Sequence, residues 1–353
     1  METLSQKNSL GPEDIARALR ALSPDYAETP LLNLPSLASD LGIAAVYAKD
    51  ESKRMLGSFK SLGGTYAALR ALAAASGTDF KDIIGYSGRL PDLITASAGN
   101  HGLAVASAAR LAGSKARIFL YPGVSQARRR RIADMGAEIV EIDGTYDDAV
   151  AAAKSSALEG AGILVADTST DRLDPIVADV IAGYGVMGWE IEKATAANGF
   201  ALPTHLFVQA GVGGIAAALT SGLKDWMAAP ARIIAVEPKS AACLSAALSS
   251  GSAVRVPGNL ETSATMLACG EASRPALEVL ASANVEVVTL DEAALLDAPQ
   301  KIRDAGGPPT TPSGAAGLAG LLMIAADAAA RKHLGLDIKS RVLIVITEGQ
   351  LSE

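Results

Sequence analysis

Short, unbroken runs of apolar and β-branched residues recur along the chain, separated by Ala-rich stretches, and this alternation most constrains the fold. The runs are ARIFLYP (116–122), AEIVEID (137–143), GILVAD (162–167), HLFVQA (205–210), RIIAVEP (232–238) and RVLIVIT (341–347). A strand that is apolar throughout, without alternation, is buried on both faces, as in a parallel sheet covered by helices. The fold class is therefore α/β, with parallel-rich sheets covered by helices on both faces. No fixed-period repeat or low-complexity linker interrupts the pattern. Two lobes are expected: a smaller one over 63–162 with its own helix–strand succession, and a larger one assembled from 1–62 and 163–353.

Composition narrows the function. The chain has 353 residues, of which 49% are hydrophobic and 20% charged, so intrinsic disorder is not expected. Its net charge of −7 opposes nucleic-acid binding. Arg128, Arg129, Arg130 and Arg131 form the one local exception, and they read as the solvated face of a helix that follows Pro122 and Gly123. Cys243 and Cys269 show neither metal-ligand spacing nor a pairing pattern, and no other cluster suggests a metal. They read as buried or incidental thiols, which fits a reducing compartment. The N-terminus lacks a basic segment followed by an apolar one, and no apolar run is long enough to span a bilayer. A cytoplasmic location without a membrane partner is expected.

Three segments carry candidate chemistry. Lys60 lies in Gly57-Ser58-Phe59-Lys60-Ser61-Leu62-Gly63-Gly64, ahead of an Ala-rich helix expected after Gly64. Small neighbours and Phe59 can partly desolvate this amine, lowering its pKa and freeing it as a nucleophile; an ordinary surface lysine near a helix start is the alternative. Ser97, Ala98, Gly99, Asn100 and His101 form a small-residue turn before the helix LAVASAARLAG. Its unpaired backbone N–H groups could cradle a carboxylate, with Asn100 as a directional donor, or could simply be capped. His101 has no Ser or Asp constellation to orient it as a base, so a structural role is expected. Gly211, Val212, Gly213 and Gly214 lie between the strand HLFVQA and the helix IAAALTSGL, the layout of a phosphate site. Gly211, Gly213 and Ala216, with Glu237 ending the next strand, also satisfy a dinucleotide fingerprint, although that pattern leaves the first two segments unexplained.

In this order, SFKSLGG, SAGNHG and GVGG resemble the fold-type II pyridoxal-phosphate enzymes, the threonine dehydratase and tryptophan synthase β-chain superfamily, over nearly the whole chain. Within it the chain is more similar to diaminopropionate ammonia-lyase, through Val165-Ala166-Asp167-Thr168, Gly183-Tyr184-Gly185, the stretch MLACGE (266–271) and Thr347-Glu348-Gly349. The resemblance implies that pyridoxal 5′-phosphate is the cofactor and that Lys60 forms the imine with it. It also implies that Phe59 packs beside the ring, that Asn100 bonds the 3′-oxygen and that Gly211, Val212, Gly213 and Gly214 bind the phosphate. Thr347 would meet the pyridine nitrogen, Asp167 would be an acid/base carboxylate, and residues 97–101 would take the substrate's carboxylate. A cofactor-binding larger lobe, a mobile smaller lobe and a homodimer acting on a small amino acid are implied as well.

One position departs from that family. The ammonia-lyases carry an acid/base Asp in an Asp–Gly–Asn–His loop, where this chain has Ala98, more like a serine or threonine dehydratase. Thr311-Pro312-Ser313-Gly314-Ala315 also resembles the dehydratase pattern, with Thr311 where Glu is usual. The function implied is α,β-elimination from an amino acid to a 2-keto acid and ammonia. A β-hydroxy amino acid dehydratase and a β-replacement synthase are alternatives on the same scaffold. A nucleotide-binding dehydrogenase or a non-catalytic ligand-binding module are alternatives outside it.

Overall fold

The computed structural model describes residues 10–350 and contains two sheets flanked by helices. The strands are β1 (Leu31–Asn33), β2 (Ala45–Asp50), β3 (Leu93–Thr95), β4 (Ala116–Leu120), β5 (Glu138–Glu141), β6 (Ile163–Leu164), β7 (His205–Gln209), β8 (Arg232–Pro238), β9 (Glu286–Leu290) and β10 (Arg341–Ile346). The larger sheet runs β1-β2-β10-β7-β8-β9, with only the β1–β2 pair antiparallel. The smaller sheet, β5-β4-β3-β6, is parallel throughout.

Continuous apolar strands form here because both faces of the larger sheet are covered. Successive residues of β10 point to opposite cores: Leu343 and Val345 to one, Val342, Ile344 and Ile346 to the other. Helices Pro175–Ala197 and Gly214–Leu223 cover the first face, while Glu292–Asp304 and Pro312–Ala326 cover the second. Burying each such aliphatic side chain contributes roughly 1.5–3 kcal/mol. Among the described residues, no single helix is long and apolar enough to cross a membrane.

Parallel strands gather their carboxyl ends on one edge, where loops can build a site. β7 ends at Gln209 and leads into residues 211–214, and its neighbour β10 ends at Ile346 and leads into Thr347. β2 ends at Asp50, and the chain then passes through two short 3-10 helices to Lys60. The helix starts at Lys60 itself (Lys60–Ser76), so the start expected after Gly64, at Thr65, is five residues late. Gly63 is tolerated inside it because the helix crosses Pro175–Ala197 at contact distance, and Gly64 because a Cβ there would lie 2.7 Å from the Ala104 Cβ of the helix Asn100–Ala112. A Cβ on Gly63 would lie 2.4 Å from the Val180 carbonyl oxygen, and one on Gly183 would lie 2.7 Å from the Gly63 Cα. Gly63 and Gly183 let the backbones meet and set Tyr184 against Lys60.

Two other expectations need correction. The strand expected over 162–167 stops at Leu164, because the chain turns away so that Asp167 meets Lys60. β2 was not foreseen: its sequence AVYAKD places Lys49 and Asp50 in a buried strand. Lys49 is fully buried yet satisfied, donating to Glu190 Oε2 at 2.6 Å and to the Thr29 carbonyl at 2.7 Å.

Candidate active site

Lys60 Nζ donates to Asp167 Oδ2 at 2.6 Å, and the two side chains retain 21% and 24% of their exposure. The amine also lies 5.3 Å from the centre of the Phe59 ring and 5.6 Å from that of Tyr184. Those rings are 4.8 Å apart and tilted by 58°, forming two walls around it. Burial works against the Lys60 charge, but the Asp167 carboxylate overcomes it and holds the amine above the usual lysine range. Burial likewise opposes the Asp167 charge, and the adjacent ammonium overcomes that, holding the carboxyl well below its usual range. The lowered lysine pKa expected from small neighbours is therefore not found in this ion pair. Desolvation is present, but a carboxylate 107 residues away in the chain outweighs it.

The glycine loop belongs to the same site. A Cβ on Gly214 would lie 3.5 Å from Cε2 of the Tyr184 ring that faces Lys60. Gly213 has φ +96°, the left-handed region that favours glycine, and leads into the helix Gly214–Leu223. The first-turn N–H groups of that helix have no intrahelical partner and point at the loop. Gly211 must be small, since a Cβ there would lie 2.8 Å from Cys269 Sγ. Burial, with Asp167 nearby, pushes the Cys269 thiol up to about 11.

Backbone pairing ties the lysine segment to the C-terminal segment. Phe59 N–H donates to the Thr347 carbonyl at 3.2 Å, and Ser58 forms an antiparallel bridge with Glu348. The buried Thr347 Oγ1 accepts from Gln209 Nε2 at 2.9 Å. The same amide nitrogen lies 3.0 to 3.1 Å from the carbonyls of Ser313, Gly314 and Val345, so its orientation is set by the backbone. With its oxygen accepting from Gln209, the Thr347 hydroxyl keeps its own proton to donate.

The turn at 97–101 also reaches this place. Gly99 N–H donates to Ser97 Oγ at 3.3 Å, Ala98 packs against the core, and the helix Asn100–Ala112 starts three residues before the expected one. Asn100 Nδ2 donates to Glu348 Oε2, and Thr311 Oγ1 donates to Glu348 Oε1 at 2.5 Å. His101 is buried, and its Nε2 is 2.9 Å from the Val165 carbonyl. A carbonyl only accepts, so Nε2 carries the proton. Burial lowers the His101 pKa, keeping the ring neutral.

Tyr184, Gln209 and Glu348 were not singled out from the sequence. Gly183-Tyr184-Gly185 inside a helix and Glu348 beside Thr347 were the available signals. Glu237 has a different task from the ribose ligand considered for it. Its buried carboxylate accepts from the N–H groups of Leu244 at 2.7 Å and Ser245 at 2.9 Å, capping the helix Cys243–Ser250. Burial pushes its pKa up to about 7.

These residues fit pyridoxal phosphate. The glycine loop offers first-turn amides for a phosphate, Lys60 an amine, and Thr347, tied by its carbonyl to the Phe59 N–H, a buried hydroxyl. The buried Tyr184 Oη beside Lys60 has no hydrogen-bond partner, the mark of a site built for another group. Its hydroxyl is pushed up to about 12 by burial, so it stays protonated.

Comparisons with known proteins agree. Residues 22–348 match the family described as pyridoxal-phosphate dependent enzyme. A diaminopropionate ammonia-lyase of Salmonella typhimurium (strain LT2) is 35% identical, the match covering 93% of this chain and 87% of that one. The crystal structure of holo diaminopropionate ammonia-lyase from Escherichia coli superposes with a TM-score of 0.87 at 29% identity, covering 97% of this chain and 89% of that one. A threonine deaminase from T.th. shares the fold, with a TM-score of 0.78 at 24% identity, covering 98% of this chain and 99% of that one. The chain thus belongs to the family of pyridoxal-phosphate dependent enzymes and, within it, to the ammonia-lyases.

Proposed function

We propose that this enzyme eliminates a β-amino or β-hydroxyl group from a small amino acid, releasing a 2-keto acid and ammonia, with Lys60 and Asp167 as its proton-transfer pair. The observation that carries this is the 2.6 Å contact between Lys60 Nζ and Asp167 Oδ2 against Tyr184, which also touches the glycine loop. The likeness to diaminopropionate ammonia-lyases supports a β-amino leaving group, and Ala98 favours a β-hydroxyl one.

When bound, pyridoxal phosphate supplies the electron sink for charge developing at the substrate's Cα. Lys60 would hold it through Nζ, and the amides of 211–214 would hold its phosphate. Thr347 would offer its hydroxyl to the pyridine nitrogen. A hydroxyl does not keep that nitrogen protonated as a carboxylate would, which favours elimination over transamination. Asn100 would meet the 3′-oxygen, and Phe59 and Tyr184 would flank the ring. The backbone of 97–101 orients the substrate's carboxylate. Once free, the Lys60 amine lies within hydrogen-bond reach of Asp167, so a proton on Nζ can be shared with Oδ2 and passed to the departing group. The division into lobes, 1–62 with 163–353 against 63–162, a homodimer and a cytoplasmic location belong to the same proposal.

The test offers serine, threonine, 3-hydroxyaspartate and 2,3-diaminopropionate and measures keto acid and ammonia. Stoichiometric release of both from at least one is expected, whereas a condensation product or none would oppose the proposal. Asp167→Asn is expected to lower kcat by roughly 10²–10⁴-fold while the cofactor's visible band persists. An unchanged kcat would assign Asp167 a structural role.

A further inference from the structure

The four consecutive arginines do not share one solvated face. Helix Gln126–Ala133 turns Arg129 toward Glu141, which it meets at 2.7 Å. Arg128 and Arg131, three positions apart and so on one side of the helix, line a cavity of about 60 Å³ with Gly99, Asn100, Thr311 and Glu348. Arg128 donates to Thr265 Oγ1 at 3.1 Å, and Arg131 to the Leu56 carbonyl at 3.0 Å. Among the described residues, neither guanidinium makes an ion pair.

The charge of this cavity is lopsided. Its carboxylate, Glu348, already accepts from Asn100 and Thr311, and burial pushes it up toward its neutral form, although both donors and both arginines act against that. Burial lowers Arg131; Glu348 opposes that and Arg128 adds to it, so two cations share one carboxylate that is already engaged by Asn100 and Thr311. The side chain at 98 adds no negative charge, being alanine. A substrate with a second ammonium would meet two cations here, and one with a second oxyanion would meet the N–H donors that Arg128 and Arg131 keep beyond their single bonds to Thr265 and Leu56.

We propose that Arg128 and Arg131 form a subsite for an oxyanion on the substrate's side chain, adjoining the turn that orients the carboxylate common to all amino acids. The oxyanion could come from a carboxylate on Cβ beside the leaving group, as in 3-hydroxyaspartate. It could equally be the leaving group, as in O-phosphoserine. This rests on the elimination reading above and names its substrate class.

The experiment compares KM on the holoenzyme for serine, 3-hydroxyaspartate and O-phosphoserine, in wild type and in Arg128→Gln and Arg131→Gln. Wild type is expected to prefer one oxyanion-bearing substrate over serine by about tenfold or more, and which one identifies the source. That ratio should collapse toward one in both variants. Preference for serine in wild type, or a ratio that survives both substitutions, overturns the proposal. Equal loss with serine and its anionic analogue also overturns it, by assigning the arginines to the common carboxylate. Aspartate and alanine, which lack a leaving group, are titrated separately through the cofactor's visible absorption. An enzyme inert to all three, and to threonine and 2,3-diaminopropionate as well, would sink the elimination reading alone. Tighter binding of aspartate, lost in the variants, would still uphold the subsite, and equal binding of the two would reject it.

Discussion

Replacing Lys60 with Ala is expected to remove turnover, by at least about a thousandfold, together with the cofactor's visible absorption. No other lysine nearby can take its place. Lys49 is fully buried and held by Glu190 and the Thr29 carbonyl, while Lys53 is exposed to solvent. The loss should not reflect unfolding. Lys60 is partly exposed, and without it Asp167 keeps access to water and returns toward the ordinary carboxylate range. Absorption spectra, steady-state rates and circular dichroism of wild type and variant check this. Retained activity in a folded Lys60→Ala protein would remove the lysine from the chemistry.

The second large effect lies behind the site and concerns stability. Glu190 accepts from Tyr26 Oη and Arg54 Nη1 on one oxygen, both at 2.8 Å, and from Lys49 at 2.6 Å and Arg54 Nη2 at 2.5 Å on the other. Arg54 also pairs with Glu51 at 2.8 Å, so two buried cations face two buried carboxylates. Removing one carboxylate leaves an uncompensated charge in a dry environment, which costs about 3–5 kcal/mol. Glu190→Ala is expected to destabilise the protein by that amount at pH 7, measured by urea titration. Burial opposes ionisation of Glu190, but Arg54 and Lys49 prevail and hold it at about 2, below its ordinary 4.5. A depressed carboxylate stabilises the fold above its unfolded-state pKa, and that contribution is lost as pH falls through the folded value. The gap between wild type and variant should therefore be full at neutral pH and shrink as pH drops below about 4.5. A gap under about 1 kcal/mol at pH 7 would show that the network is replaceable.

The fold was largely legible because most of its strands are buried on both faces and so announce themselves as unbroken apolar runs. β2 escaped because Lys49 and Asp50 are polar, and only the packed structure shows the partners that make their burial tolerable. β3 and β6 escaped or were overextended because they are three and two residues long, too short to show a period. The site was legible where its parts are contiguous: the lysine segment, the turn at 97–101 and the glycine loop. It was illegible where the chemistry depends on residues far apart in the chain. The Lys60–Asp167 pair spans 107 positions and reverses the expected direction of the lysine's pKa, and the Asn100–Glu348 bond spans 248. The arginine run misled for a related reason. Charge alone suggests a solvated helix face, yet two of the four line a cavity that other segments complete.

The central claim is that Lys60 is the covalent anchor of the cofactor. Borohydride reduction of the purified holoenzyme, followed by proteolysis and mass spectrometry, addresses it directly. Loss of the visible band with one phosphopyridoxyl group found on Lys60 is the predicted result. A label on any other lysine, or intact colour with no label at all, would contradict it.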